Sequence, residues 1–313
     1  ITQRSSGESR ISGVLIMKAF DTFLTGLSTG SIYSLMSIAL VLVWRSTRVI
    51  NFAQAGQAVL STYMGYEVIV RTNSFWLGLI GAMLAGALIG ALIDFLFMRT
   101  LFKRVKSGPI VLVAPVVATL GLLGIIQAVT GFVWGLENKS ITPPVSTGGF
   151  EIGERTLPFG PLNLLIVVAV TISLLILALI FQRTNIGLAL RASAFSPEIS
   201  RLSGIKVDLV RTLGWAISGA AGGLAGMLFV SNTALNPNAM DVLLVFGFVS
   251  AVIGGLDSLI GAVAGGLVLG MAINFAVAYI DTQMIFPTTF IILILVLLLK
   301  PSGLFSRAKG RRD

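Results

Sequence analysis

The sequence of 313 residues contains no cysteine and no histidine. Their absence excludes disulfide bonds, thiolate nucleophiles, zinc sites of the Cys/His type, haem ligation by imidazole, and imidazole acid–base catalysis. Charged residues are also scarce, at 11% of the chain. A water-soluble domain covers its surface with far more charge than this. These deficits argue against an enzyme and indicate a protein that is solvated by lipid.

The residues that are abundant support the same interpretation. Hydrophobic residues make up 55% of the chain, and the mean hydropathy is +0.95. Many of the 35 glycines recur at intervals of four residues, as in the pairs Gly26/Gly30, Gly86/Gly90, Gly222/Gly226, Gly261/Gly265 and Gly266/Gly270. Small residues at this spacing allow transmembrane helices to approach each other closely. We therefore predict a tightly packed helical membrane protein.

Hydrophobic segments of about 20 residues are long enough to cross a bilayer as helices. Segments of this kind, or somewhat shorter, occupy residues 19–43, 52–70, 75–98, 109–133, 161–181, 212–230, 242–255, 260–280 and 285–299. We predict an all-α, polytopic transmembrane bundle of eight or nine spans, with a broken or re-entrant C-terminal segment. The domain boundaries that follow are a polar, poorly ordered N-terminal arm at 1–16, a transmembrane domain at 17–305 and a basic tail at 306–313.

Basic residues predict the orientation of the bundle. Most of the 22 Lys and Arg residues lie in the loop 99–106, in the loop 182–211, in the C-terminal tail and at Arg45 and Arg48. Alternating spans place these segments on one side, which the positive-inside rule assigns to the cytoplasm, and place the loop 134–160 outside. The N-terminal end then faces outward despite its own basic residues, and a re-entrant segment at 242–255 would change this parity. The net charge of +9 belongs to these loops and predicts no nucleic-acid partner.

The cytoplasmic loop 182–211 contains the signals of a short helix. Ser196 is the predicted N-cap, Pro197 the first helical residue and Glu198 an acidic residue of the first turn. Gly204 is predicted to end the helix in a left-handed conformation. A capped helix in such a loop is suited to docking a partner protein. The alternative is a helix that lies on the membrane surface and binds no partner.

Polar residues within or between the spans are candidates for a translocation path. They are Asn51, Gln54, Gln57, Gln127, Asn232 and Asn274. Polar groups at membrane depth need protein partners or a water-filled cavity. Alternative roles remain open: Asn51 is also a candidate N-cap of the second span, and Gln127 and Asn274 are candidates for hydrogen bonds to neighbouring helices.

Catalytic and cofactor motifs are missing from the sequence. It has no G-x-x-x-x-G-K-[ST] pattern for ATP and no G-x-S-x-G nucleophile elbow. Asp94 and Glu67 fall near the ends of spans, where we expect their carboxylates to reach the membrane interface and not to relay protons. We therefore predict that this chain is not an enzyme and that it binds no metal and no cofactor.

Four segments, in the same order along the chain, resemble the permeases of branched-chain amino-acid ABC importers. They are residues 37–45 (SIALVLVWR) with 49–54 (VINFAQ), 187–205 with its ALRA and RLSGI motifs, 253–258 (IGGLDS) with the glycines that follow, and 300–305 (KPSGLF). Together they span nearly the whole chain, which is similar to the shorter of the two permease types. Asp257 stands where the family usually has glycine, so the turn at this position is in question.

The resemblance implies the function and the partners. The chain is expected in the bacterial cytoplasmic (inner) membrane, surrounded by lipid, as the translocation subunit for branched-chain or other amino acids. Its implied partners are a homologous permease subunit, two cytoplasmic ATPases that carry ATP and Mg²⁺, and a periplasmic or lipid-anchored solute-binding protein. The implied ATPase-coupling residues are Arg191, Ala192, Ser196, Pro197, Glu198, Arg201, Leu202, Gly204 and Ile205. The alternatives are a permease for urea or short amides and a self-contained ion-coupled carrier.

Overall fold

The computed structural model describes residues 2–104, 110–153 and 155–305, which are predominantly helical. The helices are α1 (Thr2–Thr47), α2 (Gln54–Thr72), α3 (Phe75–Leu92), α4 (Arg99–Arg104), α5 (Ile110–Trp134), α6 (Pro161–Arg183), α7 (Asn185–Phe195), α8 (Pro197–Leu202), α9 (Val207–Val230), α10 (Asp241–Gly254), α11 (Leu259–Tyr279) and α12 (Ile285–Leu299). A π-helical segment (Ile93–Met98) joins α3 to α4, and a 3₁₀ turn (Thr282–Met284) precedes α12. A short hairpin, β1 (Glu151–Ile152) and β2 (Arg155–Thr156), lies between α5 and α6. The basic tail predicted at 306–313 lies outside the described residues.

Within the described chain, seven helical segments are long and apolar enough to cross a membrane. They are Leu15–Thr47, Phe75–Arg104, Val113–Trp134, Pro161–Arg183, Val207–Val230, Leu259–Tyr279 and Thr282–Leu299. Two further helices complete the bundle: α2, with 19 residues and a more polar composition, and α10, which is apolar but has only 14 residues. Each of the nine predicted hydrophobic segments is therefore helical, and the prediction of an all-α polytopic bundle is confirmed.

Contacts between loops show which helix ends lie together. At one end, Arg48 before α2 forms an ion pair with Asp257 before α11. The backbone of Leu304 binds that of Ile253 at the same end. At the other end, the indole of Trp134 donates to Glu67 at 2.8 Å. We call the first end the basic end and the second the outer end. This grouping of the loops agrees with the predicted alternation of the spans.

Contacts at the start of the first span and at the start of α10 show in which direction these two helices cross the bundle. The ammonium of Lys18 lies 4.8 Å from the ring centroid of Tyr279, which places the start of the first span at the outer end. Helix α10 begins beside Gln127 of α5 and ends at Gly254 at the basic end, so it crosses the bundle and is not re-entrant. Helix α1 begins at Thr2, within the segment predicted as the polar N-terminal arm at 1–16.

The centre of the bundle is formed by α1 and α9, whose apolar stretches are 89% and 72% buried. The apolar stretches of α5, α6 and α12 are mostly exposed at the surface of the bundle. Glycines bring the central helices together. A Cβ atom on Gly30 of α1 would lie 2.9 Å from the carbonyl oxygen of Gly266 of α11, and one on Gly86 of α3 would lie 2.2 Å from that of Gly219 of α9. The predicted glycine pairs are therefore confirmed as helix contacts.

Candidate functional site

Helix α8 has the caps that its sequence predicts. The hydroxyl of Ser196 accepts a hydrogen bond from the Ile199 amide at 3.4 Å, and Pro197 occupies the first turn. At the other end the Ile205 amide donates to the Ser200 carbonyl at 3.0 Å. The Gly204 amide donates to the Arg201 carbonyl, also at 3.0 Å. Gly204 has φ +82°, so this is a Schellman motif that needs glycine at its left-handed position.

Helix α7 attaches this segment to the bundle. Gly187 lies so close to the end of α6 that a Cβ would be 2.3 Å from the carbonyl oxygen of Ile180. Leu190 is buried in an apolar cluster that is shared with α1, α6 and α9 and includes Ile38, Leu42, Phe181 and Val210. One face of α7 is therefore packed against the membrane helices, and α8 projects from the basic end.

The α7–α8 segment exposes large apolar side chains. Phe195 is 85% exposed, Ile199 62% and Leu202 89%. Of the predicted coupling residues, six are exposed (Arg191, Pro197, Glu198, Arg201, Leu202 and Gly204) and three are half-buried (Ala192, Ser196 and Ile205). Apolar groups exposed next to charged ones in a segment that folds compactly are typical of a surface that binds another protein or lies against the membrane.

A buried carboxylate lies close to the segment that follows α8. Asp94 is fully buried and accepts from Arg211 Nε at 2.7 Å and from Thr212 Oγ1 at 2.5 Å. Arg99 Nε lies 3.5 Å from the same carboxylate, and Arg99 Nη2 donates to the Asp208 carbonyl at 2.9 Å. We call Asp94, Arg99, Arg211 and Thr212 the Asp94 node. The expectation that Asp94 reaches the membrane interface is therefore wrong, because paired arginines hold it inside.

The node connects the π-helical segment Ile93–Met98 to the first turns of α9. Only four residues, 203–206, separate the end of α8 from the start of α9. A displacement of α8 would therefore pass directly to α9 and, through the node, to α3. Sequence inspection notes both Asp94 and the arginines of 182–211, but it lacks the packing that brings them together.

Three of the candidate path residues meet in the interior of the bundle. Asn51, Gln54 and Gln57 are all fully buried. The Asn51 amide donates to Gln54 Oε1 at 3.2 Å, Ser218 Oγ donates to the same oxygen at 3.0 Å, and Gln54 Nε2 donates to the Ser218 carbonyl at 3.2 Å. We call Asn51, Gln54, Gln57 and Ser218 the amide cluster. Asn51 is not the N-cap of α2, since Ala53 holds that position.

Gln57 differs from its neighbour Gln54. Neither its Oε1 nor its Nε2 has a hydrogen-bond partner among the described residues, although both atoms are buried. Oδ1 of Asn51, the hydroxyl of Ser37 and the hydroxyl of Tyr63 are in the same condition. Such groups are costly in a closed bundle and are stabilised by water or by a polar solute when the helices separate.

The other three candidate residues lie elsewhere. Gln127 Nε2 donates to Asp241 at 2.8 Å near the outer end, and Asn274 Nδ2 donates to the Gly270 carbonyl of its own helix at 2.8 Å. Asn232 is exposed in the loop between α9 and α10. The structure therefore brings together three of the six candidates, and the amide cluster is the part of the predicted path that has a common location.

Asp257 introduces an ion pair that the sequence comparison with the family did not anticipate. Its carboxylate binds Arg48 and accepts from the indole of Trp44 at 3.3 Å. The left-handed residue of this turn is Gly255, with φ +97°, whereas Asp257 is not among the described residues with positive φ. The turn therefore does not need glycine at position 257.

The geometry defines the class of this protein before any comparison. Its spans cross the membrane around a polar interior, and a surface suited to a partner projects at the basic end. Among the described residues, no group of three or more Asp or Glu side chains is arranged to hold a metal ion. These features describe a polytopic membrane protein with buried polar groups in its interior and an exposed apolar surface at its basic end.

Comparison with known proteins identifies the family. The family of permease components of branched-chain amino acid transport systems matches residues 22–299, and the chain belongs to it. A probable branched-chain amino acid transport permease protein LivH from Methanocaldococcus jannaschii is 29% identical over 282 residues, covering 86% of this chain and 87% of that protein. The high-affinity branched-chain amino acid permease protein BraD of Pseudomonas aeruginosa is 26% identical over 90% of this chain and 94% of its own.

The permease protein LivH of Escherichia coli, from a high-affinity branched-chain amino acid transport system, has the same 26% identity and the same coverage of both chains. The similarity therefore extends across nearly the full length of these relatives and does not rest on one motif. Together with the apolar helices it shows that this protein is a multi-pass permease of the inner membrane.

Proposed function

We propose that this chain is the translocation subunit of an ATP-driven importer for branched-chain amino acids. The substrate class is proposed from its relatives, whose names state branched-chain amino acid transport. The chain has no P-loop pattern, so ATP and Mg²⁺ are bound by partner subunits. The proposed partners are two ATPases at the basic end, a homologous permease beside the bundle, and a solute-binding protein at the outer end.

The exposed apolar surface of the α7–α8 segment is the observation that carries this proposal. Phe195, Ile199 and Leu202 are largely exposed, yet the segment is rigidly capped and anchored by Leu190. Exposed apolar groups on a rigid support are favourable only where another surface covers them. Arg191, Glu198 and Arg201 provide charges at the rim of this surface. A soluble ATPase that presents an apolar groove would bury it.

The connection from this surface to the interior suggests how ATP binding moves the bundle. The ATPase displaces α8, α9 follows because only residues 203–206 separate the two helices, and the Asp94 node transmits the movement to α3. Helices in contact through glycine slide more easily than helices with interlocked side chains. The amide cluster, between α1, α2 and α9, then opens to the solute.

The chemistry of the amide cluster fits a weakly binding passage. Its groups are neutral amides and hydroxyls, which offer hydrogen bonds without a fixed charge for either end of an amino acid. Such a passage does not retain its solute tightly. Selectivity for branched-chain side chains then belongs mainly to the solute-binding protein.

The coupling surface is tested by replacing apolar with acidic residues. Phe195→Asp and Leu202→Asp are each co-expressed with the ATPase, permease and solute-binding subunits, and the complex is isolated in mild detergent. Both variants are expected to lose at least about tenfold in ATPase retention, since each removes an exposed anchor of the interface. Leu136→Asp is the matched control, because Leu136 is 80% exposed at the outer end. Leucine uptake into vesicles is measured in parallel.

The outcomes separate the alternatives clearly. Retention lost in both α7–α8 variants, but kept in the control, supports the importer. ATP-dependent uptake of urea in place of leucine would change the proposed substrate but not the subunit's role. Leucine uptake by the isolated chain without any ATPase would refute the proposal and favour an ion-coupled carrier.

A further inference from the structure

A cavity of about 300 Å³ lies at the basic end between α1, α6, α7 and the start of α11. Its walls are mainly apolar and include Ile38, Leu42, Leu174, Leu177 and Phe181. Its rim is polar and carries the side chains of two arginines, Arg45 and Arg191. The cavity is separate from the amide cluster and from the exposed apolar face of α8.

The charges around this cavity are unbalanced. Neither Arg45 nor Arg191 forms a hydrogen bond or an ion pair with another described residue. Asp257 also lines the cavity, but its carboxylate is already bound by Arg48 and Trp44. Arg45 is within electrostatic range of Arg48 and Arg191 as well as of Asp257. Three arginines therefore share one carboxylate.

An excess of positive charge in apolar surroundings favours a bound anion. Arg45 is half-buried, so part of its hydration is lost while like charges lie nearby. The N-cap Ser258 and the first residues of α11, Leu259 and Ile260, also border the cavity, and the start of a helix adds a partial positive charge. These contributions come from separate elements of the fold and have the same sign.

The apolar walls indicate what kind of anion fits. Leu174 and Leu177 belong to α6, whose apolar stretch is only 17% buried. The neighbouring side chains of Leu175 and Leu179 are both 59% exposed. Ile260 on the opposite wall is 74% exposed. An apolar surface therefore runs from the cavity along α6 into the membrane. A free phosphate would leave this surface uncovered.

We propose that this cavity binds an acidic phospholipid from the leaflet at the basic end. The phosphate lies between Arg45 and Arg191, and an acyl chain follows the apolar surface of α6. Basic pockets between transmembrane helices at this depth recognise anionic headgroups through the same combination of charge and apolar contact. Because Arg191 belongs to α7, the bound lipid fixes the position of the helix that supports α8.

The test measures lipid retention by the purified, delipidated chain. Phosphatidylglycerol and phosphatidylcholine with identical acyl chains are titrated separately, and bound lipid is counted by native mass spectrometry. Preferential retention of phosphatidylglycerol by the wild-type chain, weakened by salt, is expected. This comparison needs no variant, and it needs no ATPase, so its result is independent of the proposed importer function.

Variants then locate the site. Arg45→Gln and Arg191→Gln are each expected to weaken phosphatidylglycerol binding about fivefold. A fivefold change corresponds to about 1 kcal/mol, which is the contribution of one basic residue beside anionic lipid. Arg183→Gln is the control, since Arg183 is exposed at the end of α6 but does not line the cavity. Thermal unfolding of each variant verifies its fold.

Three results would overturn the proposal. Equal retention of the two phospholipids by the wild-type chain would indicate that the cavity binds an acidic segment of a partner subunit and not an acidic lipid. Unchanged phosphatidylglycerol binding in the Arg45→Gln/Arg191→Gln double variant would place the lipid elsewhere. Glycerol 3-phosphate that binds as tightly as phosphatidylglycerol would show that the acyl chain makes no contribution.

Discussion

Two buried polar regions of this bundle, the Asp94 node and the amide cluster, differ in how completely their groups are bonded. The carboxylate of Asp94 contacts two arginines and one threonine, and both of its oxygens accept hydrogen bonds; Arg99 Nε is held beside it at 3.5 Å by charge alone, without a hydrogen bond. In the amide cluster Gln54 is bonded, whereas both polar atoms of Gln57 and Oδ1 of Asn51 have no partner among the described residues.

The difference indicates different roles within one permease. A buried charge with complete partners holds helices in a defined arrangement, and removing one partner is costly. Buried amides without partners gain hydrogen bonds only when water or solute reaches them. The node therefore acts as a fixed connection between α3 and α9. We propose that the amide cluster marks the interior that changes during transport.

The largest effect is expected for Asp94→Asn. This change leaves Arg211, whose side chain is 14% exposed, with only the longer ion pair to the exposed carboxylate of Asp208 at 3.7 Å. Breaking a buried ion pair by removing one partner costs about 3–5 kcal/mol. We expect a large decrease in the free energy of unfolding, measured by detergent-induced unfolding with tryptophan fluorescence.

Two companions sharpen this prediction. Glu198→Gln, at an exposed carboxylate on α8, should leave the free energy of unfolding unchanged. The triple variant Asp94→Leu/Arg99→Met/Arg211→Met should recover most of the lost stability, since apolar residues of similar volume then replace every member of the buried ion pairs at little cost. If Asp94→Asn is as stable as the wild type, the node does not hold the two helices together.

A smaller effect is expected where α3 and α9 touch without side chains. The Cβ added by Gly86→Ala would lie 2.2 Å from the Gly219 carbonyl oxygen, which is too close for two non-bonded atoms. Separating the helices to relieve this overlap costs about 1–3 kcal/mol. Gly121→Ala on α5 is the control, because no atom lies within 4 Å of its Cβ position. Thermal unfolding of the two variants compares them directly, and equal midpoints would show that the contact between α3 and α9 is loose.

The sequence is a good guide to what depends on neighbouring residues in the chain. Hydrophobicity predicts helices at nine segments, of which seven in the described chain are long and apolar enough to span a membrane, and local capping rules predict the start of α8 at Ser196 and its end at Gly204. The glycine spacing predicts which faces of the helices are in contact. Each of these features is determined within a few turns of one helix.

Features that join distant segments are not predictable in the same way. Asp94 and Arg211 are 117 residues apart, and Arg48 and Asp257 are 209 apart, so no local pattern indicates either pair. Polarity within or between the predicted spans is the signal for the six candidate path residues, and it does not distinguish Gln57 in the interior from Asn232 in an exposed loop. The basic cavity beside Arg45 also depends on four helices that meet only in the folded bundle.

Gln54→Leu tests the bonded part of the amide cluster. Replacing Gln54 leaves the side-chain amide of Asn51 without its acceptor, whereas the hydroxyl of Ser218 keeps its hydrogen bond to the Ala39 carbonyl at 2.6 Å. Leaving a buried donor unpaired costs about 1–3 kcal/mol. We expect the free energy of unfolding to decrease by this amount, as measured by detergent-induced unfolding. An unchanged value would mean that these hydrogen bonds contribute nothing to the closed bundle.

Gln57→Leu, one turn along the same helix, is expected to have the smallest effect on stability and the more informative one on transport. Because neither polar atom of Gln57 has a partner among the described residues, an apolar side chain of similar size removes a desolvation cost and breaks no bond. Stability should be unchanged or slightly higher, whereas leucine uptake by vesicles with the complete set of subunits should decrease. A loss of stability equal to that of Gln54→Leu would show that Gln57 is bonded in the closed state and would remove the distinction between the node and the amide cluster. Normal uptake at normal stability would instead place the path away from Gln57, because a residue that the solute passes cannot lose its hydrogen-bonding groups without affecting the rate.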